Sequence, residues 1–566
     1  MKKKTTASTT SFKTNNPIIE YTEQIVQNKI IVCEKIKKIY TKLSNELESV
    51  GSRWIYDGKK ANHAIEFVEK YCRHSQGDWK GKPLRLELYQ KARWAATYGF
   101  VDADTEYRRF TEVLYMVARK NGKSCESSAD GLYMVIGDGE GGAEVYCVAN
   151  KQDQAKIIWL ESRRMLNKSP ALRKRLKPLV NQIVGEGIYD GCVYKPLGAD
   201  SKTLDGLNVH GAQFDEIHEQ TNLNLYNVIA DGVTARKQPK ILITTTNGFV
   251  REGLLDMKYA QAADILNGIY EDDRFLPVIY ELDSRDEWQE PEMWVKANPG
   301  LDVIKDREKL AEKVERAKKN KRLLPNLLTK DFNITENISS AWLTYDELNN
   351  TDTFDIKEMN LSYGIGGADL SSTTDLTAAG ILCGRRDDER LYYIPMFWLP
   401  EDCLERRIKE DKIPYDIWHE EGLLRLCKGN RINDEDVTAW FIEMREQHGI
   451  YTLWAGYDRW GSRNFVRDME TIFGENSIID IAQGARTLSQ PMKELGADLG
   501  VKKINYNNNK ILKWCLSNLQ AKTDVNANIQ PVKVDQKAAR RIDGAVALLI
   551  AYTVFLDKKA DYEALL

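Results

Sequence analysis

Two α/β domains in tandem, behind a helical N-terminal segment, are the fold class that the sequence predicts. Three observations carry the prediction. Thr111–Met116 reads as a strand and runs through Gly122-Lys123-Ser124 into the helical stretch Cys125–Ile136. A later strand, Val209–Phe214, ends in the acidic pair Asp215-Glu216. In the last third of the chain two more strands end in Asp369 and Asp458, and Asp543 opens the longest apolar run.

Composition sets the bounds. The 566 residues suffice for two or three domains, and 42% hydrophobic content with 13 Trp supports large cores. A net charge of −3 excludes a globally basic nucleic-acid binder, so any DNA contact has to come from local patches. Nine cysteines are scattered without a C-x-x-C pair, which argues against zinc and for free thiols in a reducing cytosol. The basic start Met1–Lys4 leads into Ser, Thr and Asn rather than an apolar core, so no signal peptide is expected. The run Ala545–Leu556 is too short to span a bilayer and reads as a buried helix.

In chain order, residues 1–16 are polar and expected to be disordered. Residues 17–50 place Ile25, Val32, Ile36, Ile39 and Leu43 at helical spacing, as one helix or two, and Ala61–Cys72 reads as another. The strand Thr111–Met116, the Gly-Lys-Ser turn and the following helix describe a phosphate-binding loop, although Val117 stands where the full pattern has its first glycine. Backbone N–H groups at the helix start point at phosphates, Lys123 reaches the β- and γ-phosphates, and the Ser124 hydroxyl holds Mg²⁺. The alternation continues through strand Glu144–Val148, helix Gln152–Leu166, and strands Tyr189–Lys195 and Leu207–Phe214. There Asp215 is expected to hold Mg²⁺ through water and Glu216 to orient the attacking water. Ile241–Gly248 is a β-branched strand ending in hydroxyls and an amide, suited to sensing the γ-phosphate. His210 and His218 flank the acidic pair and lack a third ligand, so both read as structural. Arg236 is either a solvated residue or a finger reaching a neighbouring subunit's nucleotide. Phe275–Leu282 is a further strand, and residues 306–324 form a highly charged connector helix.

The second domain is expected from about residue 355. Strands Tyr363–Leu370, Leu376–Cys383 and Arg390–Phe397 describe an RNase H-like sheet headed by Asp369. Asp458 follows 89 residues later at the end of Leu453–Asp458, and Asp543 another 85 on. Any one of these alone is an ordinary strand end or helix cap. Together they can converge on one sheet edge and hold one or two Mg²⁺ or Mn²⁺ through oxygen, the arrangement of two-metal phosphodiester cleavage. Asp375 is either an accessory ligand or a turn cap. Residues 400–430, with Pro414, Trp418 and His419, read as an insertion that forms a flap over a DNA groove. Residues 500–541 carry nine Lys/Arg against two Asp/Glu and form the best phosphate-backbone patch in the chain.

The loop Ala118-Arg119-Lys120-Asn121-Gly122-Lys123-Ser124 resembles that of the large subunits of tailed-bacteriophage terminases, which often lack the first glycine and carry an Arg three residues before the second. The resemblance runs from about Trp79 to near the C-terminus and includes Trp294 and the turn Asn298-Pro299. It implies nucleotide binding by Arg119, Gly122, Lys123, Ser124 and Asp215, with Gln90 in the slot whose amide reads the adenine edge. It implies Glu216 as the ATPase base, and a nuclease with Asp369, Asp458 and Asp543 as catalytic metal ligands. ATP, Mg²⁺ for the ATPase and Mg²⁺ or Mn²⁺ for the nuclease are the implied cofactors. The implied partners are double-stranded DNA, a portal protein, a small terminase subunit and further copies in a ring on the portal, in the host bacterial cytoplasm and not at a membrane. The expected division is a helical, partly disordered segment 1–78, a P-loop ATPase domain 79–350 with its connector helix, and the nuclease domain 355–566. The rival readings are a DNA helicase or repair ATPase, which would need a second motor domain, and a recombinase or transposase, which would not need the ATPase. A non-catalytic capsid scaffold would need neither acidic site.

Overall fold

The computed structural model describes residues 16–49, 51–149, 151–198, 206–219, 223–249, 253–336, 341–370, 376–411, 413–458, 463–524, 526–534 and 540–566. Asp375 lies outside them. By its contacts the chain divides into two compact units, Met1–Thr335 and Glu336–Leu566.

The first unit is built on an eight-stranded sheet. Six strands are parallel, in the spatial order Phe275–Ile279, Glu112–Met116, Lys240–Thr245, Val209–Asp215, Glu144–Ala149 and Val193–Gly198. Ile183–Gly185 and Leu176–Pro178 finish one edge antiparallel. The last parallel strand starts at Val193 because Gly187–Tyr189 is a short 3-10 turn, so the expected strand over Tyr189–Lys195 is displaced toward the C-terminus. Both faces of the sheet are buried, as parallel strands require: Val113 and Tyr115 enter one cluster, Leu114 and Met116 another.

The N-terminal segment forms two helices, Pro17–Val26 and Glu34–Leu47, followed by Gly58–Tyr71. Asn16 caps the first by accepting from Ile18 N, and Pro17 occupies its first position. These helices bury Ile18, Tyr21, Ile36 and Tyr40 in the core of the sheet's first face. Cys33 Sγ donates to Ile279 O, which ties the helical pair to the outermost parallel strand and shields that edge. The connector helix spans Arg307–Lys319 and packs Leu310, Val314 and Ala317 against Trp288, Trp294, Leu328 and Phe332.

The second unit has a seven-stranded mixed sheet. Tyr363–Asp369, Thr377–Arg385 and Asp388–Pro400 are antiparallel neighbours, and Tyr451–Tyr457 and then Ile478–Asp480 extend the sheet parallel to the first strand. Helix Asp543–Leu565 covers one face, with Ala547, Ile550 and Ala551 in the same cluster as Ile365 and Leu382. Its approach is close. A Cβ on Gly367 would collide with Ala547 O and lie 2.5 Å from Ala551 N, and one on Gly456 would lie 2.6 Å from Ile550. Helices Asp434–His448 and Arg463–Phe473 cover the other face.

One expectation for this unit is corrected. Residues 400–430 are no flap: helix Tyr415–Glu420 buries Tyr415 and Trp418 in the core, and Leu424–Cys427 is an edge strand paired parallel to Asp388–Pro400. Within the run 500–541, several of the basic side chains have partners in the protein. Lys502 Nζ donates to Asp346 O and, at 2.8 Å, to Asn349 O; Lys513 reaches Asn349 at 2.7 Å, and Lys510 pairs with Glu421 at 2.7 Å. Arg541 is buried against Asp411 at 3.1 Å. All nine cysteines are free thiols. Among the described residues no helix is long and apolar enough to cross a membrane.

Candidate active sites

In the first unit the strand register assembles the site. The strand Lys240–Thr245 lies between the other two that matter, pairing Thr245 with Met116 on one side and Thr244 with Asp215 on the other. The phosphate loop, the threonine-rich end and the acidic pair therefore leave the sheet side by side at its carboxyl edge, where open α/β sheets bind ligands. Gly122 takes a left-handed φ of +87° at the N-cap of helix Lys123–Ile136, a conformation that costs glycine little. Asn121 is fully buried and holds the loop's shape. Its Nδ2 donates to Ala118 O at 3.0 Å and to Asn298 Oδ1 at 3.0 Å, and its Oδ1 accepts from Gly300 N at 3.1 Å. The Asn298-Pro299 turn is thus a clamp on the loop.

Lys123 is folded back across this loop, donating to Val117 O at 2.7 Å. Burial lowers its pKa to about 8, against the pull of Glu216 and Asp215. Arg119 and Ser124 are exposed, and with Lys120, Gly122, Lys123 and Glu216 they line a pocket of about 510 Å³. Asp215 Oδ1 accepts from Thr244 Oγ1 at 2.9 Å; burial, with Glu216 beside it, raises the carboxyl to about 6. Glu216 has a φ of +52°, unusual for a side chain of its size, which turns it away from the strand line. Burial pushes its pKa up, but His218, Lys123 and Lys330 outweigh this and hold the carboxyl below its ordinary range.

Gln90 is 4% exposed and already engaged. Its Oε1 accepts from Glu87 N at 2.8 Å, closing a capping box on helix Leu88–Gly99, and its Nε2 donates to Glu126 Oε1 at 2.8 Å. It nevertheless lines a second pocket of about 310 Å³ that adjoins Gly122, together with Trp79, Leu84, Cys125 and Ile304. Arg236 is tied to Glu140 at 2.9 Å and to Gly142 O at 2.7 Å, so it serves the turn after the phosphate-loop helix. His210 is buried against Asp138 at 2.8 Å. His218 is buried too, with its Nδ1 3.2 Å from Thr245 Oγ1 and 2.9 Å from Glu216 Oε2.

In the second unit Gly367 and Gly456 do the assembling. Ala368 pairs with Tyr457 in register, so Asp369 and Asp458 leave adjacent parallel strands at the same end. Each aspartate lies two residues beyond a glycine against which the C-terminal helix packs, hence on the face that the helix covers. Asp543 stands one turn before Ala547 in that helix, which brings the third carboxylate over the other two. Asp543 is not the helix cap, a position that Ile542 occupies. Burial, reinforced by Asp543 and Asp458, holds Asp369 well above the usual carboxylate range, and burial raises Asp543 despite Lys533 nearby. Among the described residues Asp543 Oδ2 is buried without a hydrogen-bond partner.

Those features fit a cation: an oxygen-only donor set, mutual repulsion, and an orphaned buried carboxylate oxygen. Among the described residues no three ligating side chains already stand at the spacing of a closed ion cage. Lys533 beside the carboxylates was hidden in a run of basic residues, and Asp480, in register with Tyr457 at the end of the next strand, carried no spacing signal.

Comparison with known proteins bears on the family of the chain. A family model described as "Terminase large subunit, ATPase domain" matches residues 88–264, and one described as "Terminase large subunit, endonuclease domain" matches residues 270–559. The second therefore takes in Phe275–Ile279 and Arg307–Lys319, which by contacts belong to the first unit. The terminase large subunit of Enterobacteria phage HK97 is 25% identical over 508 residues, 87% of this chain and 95% of its own. Protein YmfN of Escherichia coli (strain K12) is 30% identical over 364 residues, 61% of this chain and 77% of its own. The crystal structure of the HK97 large terminase aligns over 88% of this chain and 99% of its own at 23% identity, with a TM-score of 0.47. The endonuclease model alone spans more than half of the sequence, and the chain belongs to the family of terminase large subunits, with an ATPase domain followed by an endonuclease domain.

Proposed function

We propose that this terminase large subunit hydrolyses ATP in the pocket at Arg119–Ser124 to translocate double-stranded DNA into a procapsid, and cuts that DNA at Asp369, Asp458 and Asp543. The observation that carries the reading is that one chain holds a glycine-turn lysine facing an acidic pair in one unit and a gathered carboxylate triple in the other. In the first unit, backbone N–H groups at the start of helix Lys123–Ile136 receive the phosphates, and Lys123 swings from Val117 O to the β- and γ-oxygens. Ser124 and Asp215 would hold Mg²⁺, which neutralises phosphate charge when bound. Glu216, held ionised, accepts the proton of the attacking water. The pocket at Trp79 and Ile304 receives the base, with the Gln90 amide at its wall.

In the second unit the three aspartates would hold Mg²⁺ or Mn²⁺, which supply water activation and stabilisation of the leaving oxygen. Family membership supports a portal protein and a small terminase subunit as partners, a ring of copies on the portal, and action in the host bacterial cytoplasm. The test is a double dissociation on the full chain. Lys123→Ala should abolish ATP hydrolysis and leave bulk plasmid cutting, whereas Asp458→Ala should abolish cutting in both metals and leave ATP hydrolysis. Parent-rate cutting by Asp458→Ala overturns the nuclease assignment, and parent-rate hydrolysis by Lys123→Ala overturns the phosphate pocket.

A further inference from the structure

The last turn of helix Leu324–Asp331 carries a lysine with no part in the scheme above. Lys330 is 6% exposed, and its Nζ lies 2.6 Å from His218 Nε2 and donates to Asn247 O at 2.9 Å. An ammonium has no lone pair, so the imidazole accepts at Nε2 and carries its own proton on Nδ1. That Nδ1 stands 2.9 Å from Glu216 Oε2 and 3.2 Å from Thr245 Oγ1. Gly248 packs directly against this histidine: a Cβ there would lie 2.6 Å from both His218 Cβ and Cδ2.

We propose that Lys330 is a positioning residue for ATP hydrolysis, which fixes the tautomer and direction of His218 so that its Nδ1–H, held by Thr245 Oγ1, stays within 2.9 Å of Glu216 Oε2. Partners that orient a metal-bound histidine through its far nitrogen cost about 10- to 100-fold in affinity or activity when lost, and the same range is expected for a histidine that orients a base. The same residue also meets the phosphate loop, since Lys330 O accepts from Arg119 N at 3.0 Å. Its neighbours bind the site's other edges. Asp331 O accepts from Asn298 Nδ2 at 2.9 Å, and Asn333 Oδ1 accepts from Asn247 N at 3.0 Å. Loop, base and γ-phosphate strand are thus all held by the segment 330–333, close to the end of the first unit at Thr335. Apart from Lys330, its contacts to the site run through backbone atoms or through Asn298 and Asn333.

The inference rests on Glu216 being the base, and the experiment separates the two. In the full chain, Lys330→Met keeps the apolar stem and removes the charge. We expect its ATPase kcat to fall about 10- to 100-fold, with the Kd for a fluorescent ATP analogue within about threefold of the parent. In the Glu216→Gln background the same change should alter kcat by less than about twofold, because both substitutions act at one step. A purely structural lysine would lower kcat again in that background and would weaken nucleotide binding. His218→Asn, which keeps a side-chain N–H near the Nδ1 position, should retain more activity than His218→Leu. Parent-like kcat in Lys330→Met while Glu216→Gln is slow overturns this inference alone, as do equal rates for the two His218 variants. Parent-like kcat in Glu216→Gln overturns the base assignment and this inference with it.

Discussion

Asp543 is the residue at which a structural and a functional carboxylate can be told apart. A helix cap gains a hydrogen bond, and its loss costs roughly 0.5–2 kcal/mol. Asp543 instead has a buried oxygen without a partner among the described residues, and a pKa that burial raises. A folded-state pKa above the unfolded one means that folding holds the proton more tightly, so stability falls as pH rises through the folded value. In EDTA, the parent should therefore melt lower at pH 8 than at pH 5 by more than Asp543→Asn does. The variant should melt at or above the parent at pH 8, because it sheds repulsion with Asp369. Added Mg²⁺ or Mn²⁺ should raise the parent's Tm and leave the variant's nearly unchanged, and the variant should not cut DNA. A variant that melts lower than the parent in EDTA and still cuts would make Asp543 a structural residue.

Among elements, the parallel strands and the C-terminal helix were legible because their signals are local. Thr111–Met116, Val209–Phe214 and Asp543 each announce themselves by an apolar run next to a chemically pointed residue. What lies between them was not legible. Tyr415 and Trp418 read as part of a flap because Pro414 and charged neighbours mask a short helix whose burial comes from Trp514 and the distant sheet. The partners of Lys502 and Lys513, backbone carbonyls for the first and the Asn349 and Asn508 side chains for the second, were equally invisible in the sequence. His218 and Lys330 are 112 residues apart and meet only in the fold. The glycines of Tyr363–Asp369 carry a cue of the same long-range kind. Gly367 has no side chain because the C-terminal helix occupies that space. Gly367→Ala forces helix and strand apart, at a cost of about 1–3 kcal/mol or more. The second unit should melt several degrees lower and cutting should fall sharply, since Asp543 rides on the displaced helix, while the ATPase rate holds. An unchanged Tm would show that the helix does not seat on Gly367.

At the scale of the whole chain, the question is where the nuclease unit begins. Charge pattern and the first strand suggested residue 355, whereas the contacts divide the chain after Thr335. From Ala341 on, the segment between is built into the second unit. Leu343 and Leu348 are buried in its core, Trp342 N donates to Leu519 O at 2.7 Å, and Asn350 Nδ2 donates to Ile504 O at 3.0 Å. Thr344 and Glu347 form a reciprocal capping box on the short helix Tyr345–Leu348, which places both leucines. Burying two leucines contributes about 3–6 kcal/mol, before the hydrogen bonds are counted. A domain of this size has about 5–15 kcal/mol of net stability, so losing the segment removes a large share of it. A fragment spanning 336–566 should unfold cooperatively in urea and cut plasmid DNA with Mn²⁺. A fragment spanning 355–566 should show a much lower urea midpoint, or no cooperative transition at all, and should cut weakly. Equal midpoints for the two fragments would mean that residues 336–354 belong to the linker, and that the boundary read from the sequence is the physical one.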